Sequence, residues 1–89
     1  MKMEPEALKL DGNAAAGILQ EIFAVEVTTV SGTCDGCGAV DAVGAVSVYM
    51  AAGTVLRCPH CDGVLMKVVT DGERIWADLR GVRSLEFHV

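Results

Sequence analysis

Four cysteines carry the clearest chemistry in the chain. They stand in two stretches of one local design, Cys34-Asp35-Gly36-Cys37-Gly38 and Cys58-Pro59-His60-Cys61-Asp62-Gly63. Two intervening residues let the backbone curl until both sulfurs converge on one ion, and the amides that follow can point at the thiolates. Glycine supplies the backbone freedom for so tight a bend. Twenty residues separate Cys37 from Cys58, enough for a strand, a turn and a return strand. This C-x2-C-x20-C-x2-C pattern falls at the upper end of the spacing read as a tetrahedral zinc site. The expectation is one Zn2+ per chain, held by Cys34, Cys37, Cys58 and Cys61.

Other polar residues offer less. His60 lies inside the second stretch, but four thiolates already close a tetrahedron, so it reads as an exposed loop histidine. His88 falls on a polar parity and reads as surface. Asp35 and Asp62 are explained by turn formation. Ser31, Ser47 and Ser84 have no nucleophile context, and neither G-x-x-x-x-G-K nor G-x-G-x-x-G occurs. A closed thiolate shell leaves no coordination position for water or substrate. The expectation is a protein that is not an enzyme.

The elements that must position the thiols can be read in outline. Residues 1–10 form an arm with Pro5. Asp11 is placed to cap a helix over 11–25, whose Ala15, Ile18, Leu19, Ile22 and Phe23 follow a single apolar face. Strand vocabulary follows at 27–33, 45–51, 54–57 and 64–70. Asp71-Gly72 predicts a two-residue hairpin turn with both residues at positive φ. It leads to a strand at 74–80 with Ile75, Ala77 and Leu79 inward, and Leu85, Phe87 and Val89 suggest a closing edge strand. Trp76 then falls on the opposite parity, either as a ring under the helix or as an interface anchor. The fold class is α+β: an N-terminal helix and a small antiparallel meander in one domain, 1–89.

Two cysteine knuckles at the tips of β-hairpins resemble the zinc-ribbon group, in which such knuckles clamp one zinc above a small antiparallel sheet. The resemblance covers about residues 27–70, with 71–89 as a C-terminal strand extension. Over the whole chain, the pattern runs from Leu10-Asp11-Gly12-Asn13-Ala14 through both knuckles to Leu79-Arg80-Gly81-Val82-Arg83-Ser84-Leu85. It looks like a small bacterial family of uncharacterised proteins with a zinc-ribbon-like middle, which implies no activity. Two rivals use the same sulfurs. Cys37-Gly38 and Cys58-Pro59-His60-Cys61 also resemble the iron knuckles of rubredoxin, although Asp62 interrupts the match before Gly63. Cys58-Pro59-His60-Cys61 is similar to the dithiol of thioredoxin-fold oxidases, but that chemistry needs a helix after the first thiol, and strand-forming residues follow here.

Composition bounds the rest. Of 89 residues, 52% are apolar but only 4% aromatic, so the core is built from small side chains and a chain this short calls for a staple. A disordered or collagen-like chain is excluded. The net charge of −5 becomes two units more negative with four thiolates and a divalent ion, which disfavours nucleic acid and leaves a protein partner as the expectation. Arg74, Arg80 and Arg83 are interleaved with Glu73, Asp78 and Glu86, as on a solvated mixed-charge face. Nothing resembles a signal peptide, and the longest uncharged run, 42–56, is shorter than a membrane span. A cytoplasmic location follows, where paired cysteines more often hold metal than form disulfides.

Overall fold

The computed structural model describes residues 9–50 and 52–88, so the expected arm lies largely outside the described residues. Its end is a short strand, β1 (Lys9–Asp11), and not a loose segment. Gly12 follows in close contact with a distant turn, and a Cβ there would collide with the Val43 carbonyl. The Asp11 carboxylate accepts the Asn13 amide at 3.1 Å and caps a 3-10 turn, Gly12–Ala15. Only then does α1 (Ala16–Phe23) begin. The helix expected over 11–25 is therefore shorter at both ends. Ala24 terminates it in the left-handed region at φ 62°, its amide donating to the Gln20 carbonyl at 2.8 Å. The expected apolar face is kept: Ala15 and Leu19 are buried, and Ile18, Ile22 and Phe23 pack against the core.

Seven further strands follow: β2 (Ser31–Cys34), β3 (Val40–Ala42), β4 (Ser47–Met50), β5 (Thr54–Arg57), β6 (Val64–Thr70), β7 (Ile75–Asp78) and β8 (Val82–Glu86). They form two antiparallel sheets, one ordered β1-β4-β5-β6-β7 and the other β3-β2-β8. The single expected meander is thus only its second half. The break has a local cause. Residues 27–30 form a turn, with Val30 donating to Val27 at 3.0 Å, and a second 3-10 turn, Val43–Ala45, docks on it. Val43 donates to Val30 at 2.9 Å and Gly44 to Thr28 at 2.8 Å. Those bonds redirect the chain between β3 and β4, so the first knuckle and the meander belong to different sheets.

The core lies between the sheets and the helix. Val48, Leu56 and Met66 from the larger sheet share one cluster with Leu19 and Ala15, while Cys34, Val43, Val82 and Leu85 come from or next to the smaller one. The C-terminal strand differs from expectation in its partner. It pairs with β2, opposing Leu85 to Gly32 and Val82 to Cys34, so it braces the first knuckle instead of extending the second hairpin.

The hairpin joining β6 to β7 also departs from its expected form. Thr70 pairs with Ile75, leaving a four-residue loop in which only Gly72 has positive φ, at 94°. The Asp71 carboxylate accepts the Glu73 and Arg74 amides at 2.9 and 2.8 Å, which holds the wider turn open. Ala77 lies across from the buried Val68, so Ile75 and Ala77 do share the core parity. Both are nevertheless exposed. They lie on β7, an edge strand of the sheet, and neither joins the buried core cluster. Leu79 alone of the three packs against the core.

Candidate metal centre

Both cysteine knuckles sit at hairpin tips, the first between β2 and β3 and the second between β5 and β6. Their backbones repeat each other. Cys34 donates to the Ala39 carbonyl at 2.9 Å as Cys58 does to Gly63 at 2.9 Å. Gly38 donates to the Cys34 carbonyl at 2.9 Å as Asp62 does to Cys58 at 2.8 Å. Gly38 and Asp62 take matching positive φ values of 80° and 63°. The amides of Gly36 and His60 point at the sulfurs of Cys34 and Cys58 at 3.3 and 3.4 Å, and Gly63 points at Cys61 at 3.4 Å. The first cysteine of each knuckle is buried and the second exposed.

The two knuckles face each other, and all four sulfurs lie within 4.8 Å of one another. Cys34 Sγ stands 3.8 Å from Cys61 Sγ, and Cys37 Sγ 3.7 Å from Cys58 Sγ. A regular tetrahedron around an ion with metal–sulfur bonds of about 2.3 Å has edges of about 3.8 Å. The sulfurs therefore fit a tetrathiolate ion with little rearrangement. Behind Cys34 and Cys58 lies an apolar cavity of about 20 Å³, walled by Val46, Leu56, Leu65 and Val82 among others. That space admits one water-sized molecule.

Without an ion the thiols disagree about ionising. The Cys37 amide, with Gly36 and the Cys61 and Cys37 thiols, outweighs desolvation and brings Cys34 down to about 7. At Cys37 the Ala39 amide favours the thiolate, but desolvation and the Cys58, Cys61 and Cys34 thiols push it up to about 11. Cys61 is also raised, as desolvation and the Cys34 and Cys58 thiols override the Gly63 amide. One thiolate forms readily while Cys37 and Cys61 resist it, which is the electrostatic situation a divalent ion relieves.

The remaining expected positions divide clearly. His60 contributes no atom to the cluster. Its Nε2 lies 2.8 Å from Asp41 Oδ2 on β3, so it ties the second knuckle to the first hairpin. Asp41 is a residue that no spacing or parity in the sequence singles out. Asp62 lends its carbonyl to Arg57 at 2.9 Å, and Asp35 meets Arg83 at 3.4 Å. Arg80 pairs with Asp78, and Arg74 approaches Asp71 at 3.9 Å. The three arginines thus lie among acids, as their interleaving implies. Cys58 is followed by a turn and strand β6 and not by a helix, which removes the dipole that a thioredoxin-type dithiol relies on. Trp76 is 52% exposed, with the Arg74 guanidinium 5.5 Å from its ring centre. It is not a ring buried under the helix.

Among the described residues, fold and site define one short α-helix and two antiparallel sheets with a four-cysteine cluster compatible with metal binding. The chain belongs to a family of unknown function, DUF6510, whose model matches residues 4–89. No curated protein and no solved structure matches it. Among the described residues, no helix is long and apolar enough to cross a membrane.

Proposed function

We propose that Cys34, Cys37, Cys58 and Cys61 hold one structural zinc ion in a clasp of zinc-ribbon type, and that the protein is a cytoplasmic interaction or regulatory module. The observation that carries this reading is the pair of 3.7 and 3.8 Å sulfur separations between knuckles of different sheets. An ion there joins the meander to the smaller sheet, and four thiolates fill its coordination sphere. Its binding free energy then serves folding, which suits a core of small side chains. The thiols are unpaired, as four ligands of one ion must be.

Elemental analysis of protein purified aerobically tests the assignment. The expected result is a colourless preparation with about one zinc per chain. Cys→Ser at any of the four positions should release the metal and lower the melting temperature. A red, iron-bearing preparation with a reversible redox wave would replace this reading with electron transfer at the same sulfurs. A metal-free variant that melts like the parent would remove the structural role.

A further inference from the structure

Strand β7 is an edge of the five-stranded sheet and has no neighbour on its outer side among the described residues. Exposed edges are usually guarded by a proline, an inward charge, a bulge or a covering loop. Residues 75–78 carry none of these, and instead Ile75 and Trp76 are exposed. Trp76 and Asp78 lie on the sheet face that also presents Val69 and Lys67, their pairing partners, and Arg74, in the turn before the strand, lies over the Trp76 ring. The strand's shortness and the charge of Asp78 are its only guards, and an edge with a half-exposed tryptophan at its centre is a place for another strand.

We propose that this strand is β7 of a second copy of the chain, paired antiparallel about a two-fold axis through Trp76. The argument is charge complementarity in register. Antiparallel pairing centred on Trp76 sets Arg74 opposite Asp78 of the second copy, and Asp78 opposite its Arg74. The same register sets Trp76 against Trp76 on one face and Ile75 against Ala77 on the other. The cross-strand pairs are two ion pairs, an aromatic pair and two apolar pairs. Asp78 also keeps its own Arg80 and Arg74 lies over its own Trp76, so the ion pairs across the axis extend those contacts. A register one residue away opposes Ile75 to Asp78 and loses both ion pairs. The interface is isologous, so it closes as a dimer and does not propagate. The four-residue strand makes it a small and reversible interface. The inference names a partner for the interaction module proposed above, but no residue of the edge belongs to the cysteine cluster.

Sedimentation equilibrium of the metal-loaded protein over a wide concentration range tests it, with metal content measured on the same sample. Reversible dimerisation of the parent is expected. R74D alone and D78R alone each set like charges opposite each other, and should weaken self-association by about tenfold or more. Mixing R74D with D78R restores opposite charges across the axis, so the mixture should form heterodimers, which also establishes that both variants are folded. A parent that remains monomeric at the highest concentration overturns the proposal. So does a dimer indifferent to either substitution, or a mixture that does not recover. A monomeric parent whose Trp76 emission responds to a single-stranded oligonucleotide or an acidic peptide would assign the edge to that partner instead. Loss of metal with dimerisation intact would refute the zinc reading alone.

Discussion

The Gly81 carbonyl accepts the Asp35 amide at 2.9 Å while its own amide donates to the Leu65 carbonyl at 3.1 Å. One peptide segment thereby links β6 of the larger sheet to the first cysteine knuckle. The approach is so close that a Cβ on Gly81 would collide with the Val64 carbonyl. Its φ is not in the left-handed region, so the requirement is for space and not for backbone freedom.

Gly81→Ala is therefore expected to destabilise the protein by about 1–3 kcal/mol, the usual effect of overpacking. Because Asp35 sits between Cys34 and Cys37, the substitution should also speed loss of the proposed metal to a chelator. Thermal melting and a zinc-chelator competition read the two effects. Gly17 makes the control, since a Cβ there has nothing within 4 Å, and Gly17→Ala in α1 should gain about 0.5–1 kcal/mol.

His60 and Asp41 tie the two knuckle hairpins together independently of any ion. The histidine side chain is 55% exposed, so the pair contributes about 1 kcal/mol at most. His60→Ala is expected to keep its full metal content and to melt only slightly lower. Elemental analysis that found metal lost in this variant would make His60 a ligand and reopen the coordination scheme.

The cluster was legible because C-x-x-C spacing is a local constraint: both knuckles form within six residues and need little from the rest of the chain. Strands 54–57 and 64–70 were legible for a similar reason, as β-branched runs ending at glycine turns. What the sequence hid was long-range. Nothing in Gly12 announces its contact with Val43, so β1 and the late helix start could not be foreseen. Pairing of β8 with β2 depends on Gly81 fitting against Val64. The shared parity of Ile75 and Ala77 is legible in the alternation, but their exposure follows from β7 lying at the edge of the sheet.

Acid should reveal the Asp78–Arg80 pair. Side-chain and backbone hydrogen bonds from Arg80 hold the Asp78 carboxyl down at about 2, below the ordinary value near about 3.9. A depressed carboxylate binds fewer protons folded than unfolded, so its contribution is complete above about pH 4 and fades as pH falls toward about 2. Asp71 is also lowered, by the Glu73 and Arg74 amides, and acts in the same direction. Urea midpoints of Asp78→Asn and the parent, taken at concentrations that keep both monomeric, should differ at neutral pH. They should converge below about pH 2. A constant gap across that range would mean the carboxylate's charge plays no part.

The repeated knuckles allow a sharper test of the backbone. Gly38 and Asp62 occupy equivalent left-handed positions, one with the residue that tolerates it freely and one without. A Cβ at Gly38 meets nothing within 4 Å, so any cost of substituting it comes from conformation alone. Gly38→Ala is expected to lose about 1 kcal/mol, and Asp62→Gly to gain somewhat less, since aspartate already tolerates this region better than most residues. The Arg57 bond survives the second change because it uses the Asp62 carbonyl. Both variants should retain the metal, as no thiol is touched. If Asp62→Gly instead destabilises the protein, the aspartate carboxylate contributes to the second knuckle in a way its backbone geometry does not account for.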